Sequence, residues 1–204
     1  MKENGYEYVD LGLPSGTMWA TYNVGASKPE DEGLLFQFGR VDGYKYGDKN
    51  NKFRTNAQNK QDTVSEYIPL TSSGNTYDKG TTLNLEDDAA HANMGGAWKM
   101  PTYEQLKELY DNTTHRVETI NGVKGMLFTS KINSNKLFIP FMQGSWWNGN
   151  WEDWGRSSAC VWSSQVFPSY VNLVYRLDCD SSGIATINDD SRSCTFSVRG
   201  VFKK

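Results

Sequence analysis

The chain has 204 residues and a formal net charge of −3, and its fourteen lysines are scattered over the first 136 positions and the last two. That leaves no basic face to neutralise a phosphate backbone, which argues against nucleic acid as a partner. No apolar run approaches the roughly 18 residues needed to span a bilayer, and the start, MKENGYEYVDLGLP, lacks the basic and apolar segments of a signal peptide, a beginning equally compatible with a removed leader or a lipid-anchored precursor.

In chain order, YEYVDLGL alternates in the manner of a strand, Pro14, Ser15 and Gly16 make a turn, and Met18, Trp19, Ala20 and Thr21 resume an extended apolar segment. Residues 44–84 are polar, with few apolar side chains beyond Val64, Ile68 and Leu70, and read as long ordered loops over a core. Residues 86–94, EDDAAHANM, place acidic groups in a first turn and end at Gly95 and Gly96, which predicts a short helix. A second helix follows Thr102, which with Gln105 forms a capping box, while Leu106, Leu109 and Tyr110 share one face. Beyond Asn112 the period changes to two: Asn121 and Gly122 form a turn, and residues 125–129 and 136–140 are strands joined by a polar loop. The remainder reads as turns and short strands.

Composition breaks sharply near the end. Between residues 153 and 202 there is no lysine, glutamate or methionine, although the chain holds fourteen, ten and six of them. At the chain-wide frequency a window of that length would contain about seven. Almost every residue in it is encodable by a codon ending in a pyrimidine. Asparagine codons of the form AAC or AAT, with both adenines randomised, reach most of these types but never Lys, Glu, Gln, Met or Trp. The alternative is that strand propensity disfavours Lys and Glu in a β-rich half.

All three cysteines, Cys160, Cys179 and Cys194, lie in this window. An odd number leaves one without an intrachain partner, and their spacing fits neither a zinc site nor a redox pair. With two histidines in the chain, metal ligands are scarce, so neither a metal nor a cofactor is expected.

Five of the seven tryptophans fall within residues 146–162. Trp162, in Val161-Trp162-Ser163-Ser164, reads as a buried strand residue. Trp146, Trp147, Trp151 and Trp154 follow no strand or helix period that buries them all, which points to ligand contact for two or three of them.

The segments YVDLGLPSGTMWATYNVGA (8–26), EDDAAHANMGGAWKMPTYEQLKEL (86–109), NGVKGMLF (121–128) and FSVRGV (196–201) resemble a large group of gut Bacteroidales surface domains with a C-type lectin fold, akin to formylglycine-generating enzymes. Within that group, a tail of the form G-S-x-x-N-G-x-x-x-x-x-G, then W-S-S, then a closing F-S-V-R resembles the variable proteins of diversity-generating retroelements. Here it stands at 144–155, 162–164 and 196–199.

The resemblance implies that an error-prone reverse transcriptase substitutes at template adenines, so that the end of the protein becomes a hypervariable binding surface on a fixed core. It implies one α+β domain of C-type lectin type over residues 1–204, with two short helices, small antiparallel sheets and much irregular loop. Residues 1–143 would be scaffold and 144–201 the variable ligand-binding region. Gly155, Trp162, Ser163, Ser164, Phe196, Val198 and Arg199 would belong to the frame. The ligand-binding candidates are Trp146, Trp147, Trp151, Asp153, Trp154, Arg156, Ser157, Cys160, Phe167, Tyr170, Tyr175, Arg176, Cys179, Asp189, Asp190, Arg192 and Cys194, with no catalytic and no metal-binding residue. The tryptophans and Glu152 depart from the pattern, since pyrimidine-ending asparagine codons cannot yield them.

The expected function is display of a diversified surface to a protein or cell-surface ligand, on the cell surface, extracellularly or on a phage virion. An oxidase like the formylglycine-generating enzymes is the first alternative, but no closely spaced cysteine pair is present. A sugar-binding lectin is the second, but neither Glu-Pro-Asn nor Gln-Pro-Asp, the usual calcium triplets, occurs.

Overall fold

The computed structural model describes residues 1–53, 82–168 and 170–204. In chain order, β1 (Lys2–Glu3), β2 (Tyr6–Asp10), β3 (Thr17–Ala20) and β4 (Leu35–Gln37) precede α1 (Ala89–Met94) and α2 (Tyr103–Asn112). Then come β5 (Thr113–Ile120), β6 (Val123–Ser130), β7 (Lys136–Pro140), β8 (Met142–Trp147), β9 (Asn150–Phe167), β10 (Tyr170–Asp180), β11 (Ala185–Ser191), β12 (Thr195–Ser197) and β13 (Val201–Lys203).

Among the described residues strand accounts for 49% and helix for 11%, in three sheets with two helices, so the expected α+β class is corrected to a sheet-dominated fold. Both expected helices form, but the supposed loop-rich tail is mostly ladder: β9 has 18 residues and β10 has 11. Its many Asn, Ser and Asp residues disguise this, because they have low strand propensity but sit on pleated, half-exposed faces that tolerate them. Of the loops expected over residues 44–84, the part from 54 to 81, with Val64, Ile68 and Leu70, lies outside the described residues.

One sheet runs β1-β2-β3-β13, so the last strand pairs with one of the first, Val201 opposite Trp19. A second runs β11-β10-β9-β12-β4, with β8 also paired to β9, and a third runs β5-β6-β7. Asn121 and Gly122, with φ of 49° and 82°, make the two-residue turn from β5 to β6.

Strand β9 separates two cores, and its period of two assigns side chains to each. Cys160 and Trp162 point into a core with Phe36, Phe38, Met94, Trp98 and Phe196. Ala159 and Val161 point into the other, with Leu106, Leu109, Met126, Phe128 and Leu177. Leu106 and Leu109 come from α2, which starts at the expected capping box. The Gln105 N–H donates to Thr102 Oγ1 at 3.3 Å and the Thr102 N–H to Gln105 Oε1 at 3.0 Å. Tyr110, expected on the same face, is exposed and lies against His115.

Of the residues expected to hold the frame, Trp162, Ser163, Ser164, Phe196, Val198 and Arg199 are buried and Gly155 is exposed. The Trp162 ring lies 4.4 Å from that of Phe196, and its Nε1–H donates to the Phe36 carbonyl at 2.9 Å. Satisfying that polar atom makes burying the whole indole favourable.

Gly144 sits where β8 crosses β9 and has no room for a side chain. A Cβ would overlap the Glu152 carbonyl oxygen and reach Tyr46 Cε2 at 2.5 Å. Because the obstacle is backbone, Gly144→Ala should lower stability by about 3 kcal/mol in urea unfolding.

Candidate ligand-binding surface

The tail begins as a hairpin. Asn148 and Gly149, with φ of 45° and 103°, turn β8 into β9 and set Trp146 opposite Trp151 and Trp147 opposite Asn150. At Gly155 and Arg156, both at φ of 56°, the β8–β9 register shifts between the Gly144–Asp153 and Met142–Ser158 pairs, and from Ser158, opposite Asp180, β9 also pairs with β10. The Asp153 carboxylate supports the bend by accepting the Gly155 N–H at 2.8 Å and the Gln143 amide at 2.7 Å. Left-handed backbone suits glycine or asparagine and strains an arginine. Arg156 is exposed there, its guanidinium 4.0 Å from Glu32. Burial raises the Glu32 carboxyl above its ordinary range, against the opposing pull of the Gln143 N–H and Arg156. Ser157 is also exposed and donates to the Trp154 carbonyl at 2.6 Å.

The four tryptophans are half-buried, and tertiary structure supplies the neighbours that their spacing does not announce. Trp151 packs edge-on against Tyr46 at 5.1 Å, Phe53 at 5.9 Å and Trp146 at 5.6 Å, and its Nε1–H reaches the Asp48 carbonyl. Trp154 lies 5.9 Å from Phe196, and Trp147 packs against the same core. These rings form the floor of the hairpin more than an open contact face. A shallow cavity of about 340 Å³ beside them is lined by Phe53, Trp146, Trp151, Lys49, Asn51 and Asn150.

Beyond the bend, alternation divides the other candidates between the two faces of the sheet. On one face Arg176 is 12% exposed, with Nη2 3.1 Å from Asp178 and 3.3 Å from Asp190 and its guanidinium 4.8 Å from the Phe196 ring centroid. Burial works against its charge, but Cys160, Asp178 and Asp190 outweigh that and keep it protonated. On the other face Tyr175 stacks 4.5 Å from Tyr103 and 5.2 Å from Phe167, which lies 6.0 Å from Tyr170, and Asp189 stands opposite Tyr175 across the β10–β11 pair.

Four candidates are corrected. Cys160, Cys179, Cys194 and Arg192 are 1%, 2%, 7% and 3% exposed, so they do not meet a ligand at the surface. Burial pushes all three thiols above their ordinary range, which leaves them protonated and poor nucleophiles. The strand period explains the difference: composition does not show which way a residue points, and only pairing decides that. Conversely, Asp178 and Tyr103 were missed. Asp178 was recoverable, since Arg176 and Asp178 are two apart and share a face of any strand. Tyr103 was not, because its contact with Tyr175 spans 72 positions and depends on how α2 packs.

No protein-family model, curated protein or solved structure matches the chain.

Among the described residues, no group of three His, Cys, Asp or Glu side chains could hold a metal ion, and no helix is long and apolar enough to cross a membrane. A larger cavity, about 1020 Å³, lies in the scaffold between α2 and β13, lined by Leu83, Lys99, Met100, Gln105, Glu108 and Phe202. Its lining includes Thr102 and Glu104, on either side of Tyr103, and within it the Ser15 hydroxyl donates to Glu108 Oε2 at 2.5 Å.

Proposed function

We propose that this chain is a hypervariable binding protein of the kind that diversity-generating retroelements produce. Its tail offers exposed side chains to a protein or cell-surface ligand from the surface of a cell or a virion. The observation that carries the proposal is the division of labour within the tail. Buried Trp162, Phe196, Val198 and Arg199 hold the sheet, while Asp153, Arg156, Ser157, Tyr170 and the half-exposed Phe167, Tyr175 and Asp189 contribute little to either core. Residues of the second kind can change without unfolding the first.

Arg156 adds support. Arginine is a poor choice for left-handed backbone, whereas asparagine, the residue of an unmutated AAC or AAT codon, is among the best tolerated there. Adenine substitution yields that replacement directly. The oxidase reading has less in its favour, because the thiols are buried and kept protonated.

The test is a pair of displayed libraries read by protease resistance. Randomising Asp153, Arg156, Ser157, Phe167, Tyr170, Tyr175 and Asp189 to the residues reachable from AAC should leave most clones folded, with losses near 0.5 kcal/mol per substitution. Randomising Trp162, Ser163, Phe196, Val198 and Arg199 should unfold nearly all. Equal losses in the two libraries would remove the basis of the proposal. So would neighbouring DNA with no near-copy of the tail differing at adenines beside a reverse transcriptase gene.

A further inference from the structure

We infer that the ring patch of Tyr103, Tyr175, Phe167 and Tyr170 is a docking surface for a cationic protein segment, one presenting arginine or lysine side chains. This rests on the binding role proposed above and names the class of partner.

The rings follow one another at 4.5, 5.2 and 6.0 Å, and the last of them, Tyr170, is 62% exposed. Three come from the tail. Tyr103 comes from the scaffold as the first residue of α2, where its N–H donates to Gln165 Oε1 at 2.7 Å, so part of the surface stays constant whatever the tail contains.

Two carboxylates flank the patch, and the ammonium of Lys107, one turn along α2 from Tyr103, is engaged by Asp111. Asp189 pairs with Tyr175 across the strands, and Glu104 follows Tyr103 in the first turn of α2. Burial, Tyr103, Asp189 and Glu104 together push the Tyr175 hydroxyl above its ordinary range, which shows that both carboxylates act on the ring. Asp178, Asp180 and Asp190 lie with Arg176 on the opposite face of the sheet, so the carboxylates that flank the patch are those of Asp189 and Glu104. The field over the rings is therefore negative, and the faces of aromatic rings add to it through their quadrupoles. A guanidinium or ammonium gains from both. The rings form a row with no enclosing wall, which suits successive side chains of a peptide segment better than one small enclosed cation.

The experiment uses the full chain and three probes: a short peptide alternating arginine with valine, the same peptide with glutamate for arginine, and phosphatidylcholine vesicles, whose trimethylammonium groups offer a cation without a protein. The arginine peptide should bind and shift the ring resonances of Tyr103, Phe167, Tyr170 and Tyr175. Its affinity should fall about tenfold in Tyr170→Ser and in Asp189→Asn, and by a similar factor in high salt. Tyr170 is exposed enough that its replacement tests the surface without disturbing the fold. Equal binding of the glutamate peptide, binding of the vesicles in preference to the arginine peptide, or arginine-peptide binding unchanged in both variants would overturn the inference. The libraries above are read from stability with no ligand present, so the general binding role stands or falls separately.

Discussion

Arg199→Lys is expected to destabilise the protein by about 4 kcal/mol, more than Arg199→Met, even though lysine keeps the charge. Arg199 is fully buried, and its three nitrogens each hold a different segment. Nε donates to Asn23 Oδ1 at 2.9 Å, Nη1 to the Ala20 carbonyl at 3.1 Å and Nη2 to the Phe138 carbonyl at 3.0 Å. These acceptors lie in the loop after β3, at the end of β3 and in β7, so one side chain of the tail joins two of the sheets to the first loop. Burial lowers its pKa to about 9, so the guanidinium is charged at neutral pH. For a base whose folded pKa is depressed, the cost of burying the charge is fully present below that value and is relieved only as pH rises above it.

All three of these hydrogen bonds end on carbonyl or amide oxygens, whose oriented dipoles offset the charge. A lysine ammonium is too compact to reach all three acceptors, so it would leave a buried charge half-solvated and acceptors unpaired. Methionine leaves the acceptors unpaired too, but buries no charge and roughly fills the space. Chemical unfolding of the three proteins gives the order directly. If lysine proves milder than methionine, the planar three-way fork is not what this site requires.

The second large effect separates two aromatic residues that the sequence places in one class. Trp151→Ala should lower stability by about 3 kcal/mol, whereas Tyr175→Ala should change it by less than about 1 kcal/mol and weaken ligand binding by about 2 kcal/mol. Trp151 contacts Tyr46, Phe53 and Trp146 and hydrogen-bonds the Asp48 backbone, so removing it opens a hole among rings that cannot follow. Tyr175 rests on Tyr103 and Phe167 on one face of the sheet, where solvent or a partner can take its place. Thermal melts of both variants, beside affinity for any selected ligand, check the difference. A folded, stable Trp151→Ala protein with lost binding would return Trp151 to the contact surface.

These expectations change the picture of one continuous variable face. The exposed candidates gather in separate places: the β9 bend at Asp153, Arg156 and Ser157, the aromatic row on one side of β10, and the partly covered Arg176 with its aspartates on the other. A single flat ligand cannot engage both sides of a sheet. Variation at consecutive positions of a strand would reach a surface and a core alternately. The core-facing candidates here are small or are paired: Cys160, Cys179 and Cys194 fill space, and Arg176 is neutralised by Asp178 and Asp190.

Local chemistry determined a good deal from the sequence alone. The capping box at Thr102 and Gln105, the Asn121-Gly122 turn and the strand at residues 136–140 each depend on neighbours a few residues away, and each is visible in the chain, as is the burial of Trp162, although Phe36 and Phe196 that cover it lie far along the chain. The compositional break at residue 153 is likewise a property of the sequence. Tertiary structure alone decided the sheet-dominated class, the burial of the cysteines and of Arg192, the packing of the tryptophan cluster and the place of Tyr103 beside Tyr175. In each of these the deciding partner lies far along the chain or across a strand pair. A strand's period of two assigns its residues to two sides, but only the register with its neighbours and the helix laid over one face determine which side meets water.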